Sequence, residues 1–350
     1  MDIVKLSDMN YDELCAFVLK IGQPKFRAKQ IFQWIGRGVE KFEEMSDLPL
    51  SLRNSLEEAA IIGMPQIEQV IRSKKDETIK FALKLFDGNI IESVLMQYHH
   101  GYSICISSQV GCRMGCKFCA SKQQAFVRNL SAGEMFGQVS VIQRYCDEKI
   151  GHVVVMGVGE PFDNYENCLK FASLLHENSE TNIGYRKVTI STSGLVPNIV
   201  KLANEGLPIG LSVSLHAPND RVRDALMPVN RKYSIDKLLE GCKIYTEKTK
   251  RRVTFEYALI ADENSSPKDA LELANRLKGM LCHVNLIPIN KTDENDFRPP
   301  SKEQASRFES VLKEKGIEVT VRRELGADIN AACGQLRNRL MQEYSKNGDE

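Results

Sequence analysis

The sequence predicts an α/β protein, a partial barrel or an open parallel sheet of about six to seven strand–helix units, preceded by a small helical domain and a β-hairpin extension. Three observations predict it. From residue 99 to residue 324, short apolar runs alternate with stretches of helical period, the pattern of a parallel sheet. The first sixty or so residues carry helical period only. Between the two lie three strand-like runs joined by turn residues, among them Asp87-Gly88. The expected boundaries are a helical domain at 1–62, a β extension at 63–98, the barrel at 99–324, and a C-terminal loop with a charged tail at 325–350.

In the N-terminal part, helices are expected from Tyr11 to Ile21 behind an Asn10 cap, from Lys25 to about Gly38 after Pro24, and from Ser51 to Ala60 after Pro49. The second helix shows Arg27, Lys29 and Arg37 on its polar face, which in isolation reads as an ordinary solvated face. Strands follow at Gln66–Ile71, Thr78–Leu85 and Asn89–Met96, the last holding Glu92, by pattern a surface carboxylate. The barrel strands are expected at Ser103–Ser107, Val153–Met156, Lys187–Ser191, Gly210–His216, Arg252–Ile260, His283–Ile289 and Glu318–Arg322. Helices lie between them at Ala132–Tyr145, Tyr165–His176, Asn198–Asn204, Ile235–Lys248, Pro267–Leu277 and Lys302–Lys315. In such a sheet, ligands gather at the C-terminal ends of the strands.

Bulk properties exclude several classes. The chain has 350 residues, 42% hydrophobic and 27% charged, with a formal net charge of +1. Overall charge therefore does not advertise nucleic acid, and any basic surface must be local. No apolar run approaches the ~18 residues of a membrane span. The first residues lack the basic and apolar regions of a secretory signal, and ten cysteines in so long a chain are no disulfide scaffold. The expected location is the reducing cytoplasm, with no membrane partner.

The chemistry concentrates in Cys105-Ile-Ser-Ser-Gln-Val-Gly-Cys112-Arg-Met-Gly-Cys116-Lys-Phe-Cys119. Cys112, Cys116 and Cys119 sit on a loop short enough to converge three thiolates on one object, as iron–sulphur clusters require. A structural zinc takes four ligands, and no fourth Cys or His follows within twenty residues. The competing reading is three ordinary reduced cysteines. Later strand ends add Gly157-Val-Gly159-Glu160-Pro161, Ser191-Thr-Ser-Gly194, Ser214-Leu215-His216 and Asn290. A glycine turn lets backbone approach a ligand, and a carboxylate there can accept from an ammonium group. Hydroxyls, an imidazole and an amide suit a ribose, a carboxylate and an adenine, although singly such residues are more often turn or capping groups.

The CxxxCxxC spacing, with Phe118 before the last cysteine, resembles the radical S-adenosylmethionine (SAM) superfamily. The resemblance narrows with Gln109-Val-Gly-Cys112, Arg128-Asn-Leu130, Gly157-Val-Gly-Glu-Pro161, Ser214-Leu-His216, Met227-Pro-Val-Asn230, Ala331-Ala-Cys333-Gly-Gln-Leu336 and Pro24-Lys-Phe-Arg-Ala-Lys-Gln-Ile31. These look like the RlmN/Cfr family of radical SAM RNA methyltransferases, over about residues 10 to 340. Glu160-Pro161 is similar to the RlmN branch, whereas the Cfr branch typically has alanine in place of Pro161. The stretch Ser121-Lys-Gln-Gln-Ala125 departs from the Thr/Gly-rich sequence common in the family.

The resemblance implies a radical SAM barrel with one 4Fe-4S cluster on Cys112, Cys116 and Cys119. It implies SAM held by Gly159, Glu160, Ser191, Ser214, Leu215, His216 and Asn290, and two SAM consumed per turnover. The activity implied is methylation of carbon 2 of adenine at adenosine 2503 of 23S rRNA and adenosine 37 of tRNA. Cys333 would carry the methyl group, Cys105 would resolve the RNA adduct with formation of a disulfide, and Glu92 would accept a proton. The implied partners are the two RNAs and a reducing donor such as flavodoxin, with the protein a monomer. The open alternatives are carbon-8 methylation of the same rRNA adenine, a non-methylating radical SAM enzyme that has no need of both Cys105 and Cys333, and a non-enzymatic RNA-binding protein with a redox cluster.

Overall fold

The structure, a computed structural model, describes residues 4–290, 296–331 and 336. Three helices open the chain: α1 (Tyr11–Lys20), α2 (Phe26–Gly36) and α3 (Leu50–Ala59). The Asn10 side chain accepts from Glu13 N–H at 2.9 Å while Glu13 accepts from Asn10 N–H at 2.8 Å, a reciprocal cap that sets where α1 begins. Leu14, Val18, Ile31, Ile35 and Leu56 form their buried face.

Strands β1 (Gln66–Arg72), β2 (Ile79–Lys84) and β3 (Ile90–Tyr98) run antiparallel, and β3 pairs antiparallel with β4 (Gly101–Ile106). The turn between β2 and β3 contains Gly88 at φ +81°, as the Asp-Gly pair predicts. After the short pair β5 (Gln109–Val110) and β6 (Arg128–Asn129) the chain alternates regularly. It runs α4 (Ala132–Cys146), β7 (Ile150–Val155), α5 (Tyr165–Glu177), β8 (Val188–Thr192), α6 (Val196–Asn204), β9 (Gly210–Ser214), α7 (Asp220–Leu226) and α8 (Ile235–Thr249). It continues with β10 (Val253–Leu259), α9 (Pro267–Leu277), β11 (Cys282–Pro288), α10 (Lys302–Glu314) and β12 (Val319–Val321).

The sheet has ten strands in the order β1-β2-β3-β4-β7-β8-β9-β10-β11-β12, with parallel pairing from β4 onward. The described edge strands β1 and β12 are not paired to each other, so the barrel is partial, as expected. The hairpin extension is continuous with the barrel sheet, because β3 hydrogen-bonds along the free edge of β4. Helix α7 and the β5/β6 pair were not expected. Seven and two residues respectively are too few to show a period, and α7 starts because the Asn219 side chain accepts from Val222 N–H at 3.1 Å.

The helical domain docks on α4 and α5. Asp8 accepts from Gly133 N–H at 2.7 Å, and Asn178 donates to the Phe32 carbonyl at 2.6 Å. Glycine is required at residue 133, since a Cβ there would lie 2.5 Å from the Ser7 carbonyl carbon and 2.7 Å from the Asp8 nitrogen. Arg128 links domain, hairpin and barrel, pairing with Asp87 at 2.6 Å and Glu134 at 2.7 Å, while Lys5 reaches Glu134 at 3.3 Å.

Candidate radical SAM site

Cys112, Cys116 and Cys119 line one cavity of about 160 Å³ beyond the C-terminal ends of the strands. The loop that carries them is fixed at both ends. At Gly111, φ is +73° and a Cβ would sit 2.0 Å from the Ala125 carbonyl oxygen, so glycine alone fits. Further on, the Lys117 N–H donates to the Leu226 carbonyl at 2.9 Å, docking the loop on the end of α7. Burial pushes the Cys112 thiol up to about 11 and raises Cys116 as well, and the neighbouring cysteines push both in the same direction. A bound metal centre reverses such a shift, because it stabilises the thiolate directly.

Gly157 and Gly159 form the second wall. A Cβ on Gly157 would meet the Ile106 carbonyl oxygen at 2.7 Å, and one on Gly159, at φ +113°, would meet Ser108 Oγ at 2.7 Å. Glu160 is 2% exposed. Its carboxylate accepts from Ser193 N–H at 2.7 Å and Phe162 N–H at 3.0 Å, and its own N–H donates to Gln109 Oε1 at 2.8 Å. Burial raises its proton affinity while these donors oppose the rise. A cationic ligand in the cavity would complete the compensation.

Ser191, Ser214, His216 and Asn290 line the same cavity. His216 holds a left-handed φ of +55°, and its Nδ1 accepts from Ala258 N–H at 2.8 Å, which leaves the ring proton on Nε2. Burial, helped by the charge of Arg223, lowers it to about 3, so the ring is neutral at physiological pH. The ring meets Phe118 edge-on at 4.7 Å. Leu215 differs from the other expected residues: its side chain belongs to the main core, and only its neighbours face the cavity.

A second cavity, about 740 Å³, adjoins the first along Cys119, Ser121, Met156, Gly157, Ile289 and Asn290. Cys105, on β4, lines it with Val94, Met96, Ala331 and Leu336. Cys333 lies outside the described residues. The residues around it are tied down: Ser121 Oγ donates to the Leu336 carbonyl at 3.0 Å, Gly326 N–H to Asp76 at 3.0 Å, and Ser73 Oγ and Lys74 N–H to Asp328 at 2.8 and 2.9 Å. The unusual Ser121 is therefore a buried contact to the C-terminal loop, and the β1–β2 turn is that loop's clamp.

Glu92 lies on β3 two residues before Val94 and lines neither cavity. It is buried, 3.3 Å from Lys80 Nζ, and is not the surface carboxylate its pattern suggests. Lys80 also reaches the Asn330 carbonyl at 3.5 Å. Three residues escaped sequence reasoning. Lys80 reads as the polar position of an alternating strand, Arg223 as a charge in the connection after a barrel strand, and Asn164, which donates to the Ser108 and Leu130 carbonyls at 2.9 and 2.8 Å, as a turn residue. No spacing signal marks any of them.

Among the described residues, no group of His, Cys, Asp or Glu side chains is laid out to hold a single metal ion. Three thiols on the wall of a glycine-lined cavity, beside a buried carboxylate, fit a multinuclear cluster with room for a ligand bearing an ammonium group.

Comparison with known proteins defines the class and then the family. Residues 106–274 match the Radical SAM superfamily, and residues 4–62 match the Ribosomal RNA large subunit methyltransferase N-terminal domain. The crystal structure of a radical SAM methyltransferase from Sphaerobacter thermophilus superimposes with a TM-score of 0.92 at 44% identity, covering 95% of this chain and 99% of that one. A probable dual-specificity RNA methyltransferase RlmN from Alkaliphilus oremlandii is 51% identical over 342 residues, 98% of this chain and 100% of the relative. One of the same description from Clostridium tetani is 48% identical over 345 residues, 99% of each. The chain belongs to the RlmN family of radical SAM RNA methyltransferases.

That family implies SAM and a 4Fe-4S cluster. Among the described residues no helix is long and apolar enough to cross a membrane.

Proposed function

We propose that the chain methylates carbon 2 of an unpaired adenine, at adenosine 2503 of 23S rRNA and at adenosine 37 of tRNA, in the cytoplasm. The observation that carries this reading is the adjacency of two cavities, one lined by the three loop cysteines and Glu160, the other by Cys105. Carbon 2 of adenine is electron-poor and cannot attack a sulphonium methyl group, so the methyl must arrive by a radical route.

A 4Fe-4S cluster held by Cys112, Cys116 and Cys119 would supply the electron that cleaves SAM to a 5′-deoxyadenosyl radical. Gly159, Glu160, Ser191, Ser214, His216 and Asn290 hold SAM, with Glu160 receiving its ammonium and the neutral His216 offering Nε2–H. Cys333 takes a methyl group from a first SAM by displacement and presents it for hydrogen abstraction by the radical formed from a second. The resulting methylene radical adds to the adenine; Glu92 accepts the proton lost from the ring, and the adduct's unpaired electron would return to the cluster. The Cys105 thiolate then attacks the Cys333 sulphur, forming a disulfide for an external reductant and breaking the sulphur–carbon bond, and the released carbon takes up a proton to become the methyl group of the RNA.

Two features of the structure support these roles. Ala331 and Leu336, either side of Cys333, pack in the same apolar cluster as Cys105. Glu92 shares a face of β3 with Val94, the residue paired with Cys105. The RNA platform is the helical domain, where Phe26 is 58% exposed beneath the Arg27 guanidinium and flanked by Lys25 and Lys29.

Nucleoside analysis by mass spectrometry of rRNA and tRNA from cells with and without the protein tests the assignment. 2-Methyladenosine that disappears from both RNAs supports it. 8-Methyladenosine, or an unchanged nucleoside profile, overturns it.

A further inference from the structure

Arg223 is fully buried at the start of the connection after β9, where α7 turns back beneath the cysteine loop. Its Nη2 donates to the Ser193 carbonyl at 2.6 Å and the Ser214 carbonyl at 3.0 Å, and its Nε to the Leu215 carbonyl at 3.1 Å. Nη1 donates to Asn230 Oδ1 at 3.0 Å and the Tyr233 carbonyl at 3.5 Å. All five acceptors are neutral. The carboxylates of Asp220 and Asp224 are held one step away, through Asn230 Nδ2 at 2.9 and 2.7 Å. Asn230 of the Met227-Pro-Val-Asn230 segment thus links the guanidinium to two acids without direct contact between them.

A buried charge without a direct counter-ion is costly, and burial draws the guanidinium down to about 10. The end of its helix receives the cysteine loop, where Lys117 N–H donates to the Leu226 carbonyl at 2.9 Å, and Cys116 acts on its charge along with Asp220 and Asp224. A cluster on three thiolates is anionic, and its reduction adds another negative charge. Net charge and hydrogen bonding around a cluster set its potential.

We propose that Arg223 is a positioning residue whose buried charge, with no carboxylate in direct contact, makes the cluster on Cys112, Cys116 and Cys119 easier to reduce, while its fork fixes the strand ends that face SAM. This rests on the cluster assignment made above.

The test uses the full-length chain, reconstituted anaerobically with iron and sulphide, as wild type, Arg223→Lys and Arg223→Gln. Iron content and circular dichroism are measured first. Midpoint potentials then come from EPR-monitored titration without SAM or RNA, and SAM affinity from equilibrium dialysis. Arg223→Gln should titrate at a more negative potential than wild type. Arg223→Lys keeps the charge and loses the fork, so it should keep the wild-type potential and bind SAM at least severalfold more weakly. A wild-type potential in Arg223→Gln at normal iron content overturns the proposal. So does a fall in Arg223→Lys, and that arm decides the matter even where the glutamine variant fails to fold. Wild-type protein that takes up no 4Fe-4S cluster would refute the cluster assignment itself, before Arg223 is altered.

Discussion

Replacing Glu160 by alanine removes a carboxylate that satisfies two buried backbone donors, Ser193 N–H at 2.7 Å and Phe162 N–H at 3.0 Å. Each donor left without a partner costs about 1–3 kcal/mol, so the strand-end turns should loosen by ~2–6 kcal/mol in total. The ammonium of SAM would lose a charge-assisted hydrogen bond worth roughly 1.5–3 kcal/mol. At about 1.4 kcal/mol per tenfold change, SAM affinity should fall by a factor of about ten to about a hundred. Glu160→Gln separates the two effects. It keeps the volume and one acceptor oxygen but loses the charge, so it should weaken SAM binding with less loss of stability. Equilibrium dialysis of SAM against reconstituted protein, with iron content and thermal unfolding measured in parallel, is the assay. Iron content should stay near wild type, since the three cysteines are untouched. A Kd within about threefold of wild type for Glu160→Ala at normal iron content would refute the reasoning and place the ammonium elsewhere in the cavity.

Three further outcomes are expected. Alanine in place of Cys112, Cys116 or Cys119 should abolish the charge-transfer absorbance of the reconstituted protein, and full absorbance in any one variant removes that residue from the ligand set. Cys105→Ala should accumulate a covalent protein–RNA species, seen as a slower, nuclease-sensitive band on a denaturing gel; normal turnover, or persistence of the band in a Cys105→Ala/Cys333→Ala double variant, sinks the methylcysteine route. Lys80→Met breaks a pair whose side chains are 7% and 6% exposed, which should cost about 3–5 kcal/mol in chemical unfolding. Adding Glu92→Gln should restore part of that loss, and an unchanged unfolding midpoint in Lys80→Met alone would show that the pair does not stabilise the fold.

The sequence by itself determined the order of strands and helices, because binary patterning with period 2 or 3.6 is local and survives in a one-dimensional reading. It also determined the cysteine loop and the glycine turn at Gly157–Gly159, where one residue type alone meets the chemical or steric demand. These are properties of single segments, and the comparisons bear out the family they point to. Tertiary structure decided what depends on two distant segments meeting. Lys80 and Glu92 become a buried pair only when β2 lies beside β3, and Ser121 finds a purpose only against Leu336, 215 residues away. Leu215, expected at the SAM site, turns its side chain into the core because alternation along β9 continues past the strand end. Arg223 is the clearest case. Its charge, in a connection with no periodic pattern, reads as solvated until the fold closes five neutral oxygens around it. Burial and hydrogen-bond partnership belong to the packed chain, and no periodicity in the sequence encodes them.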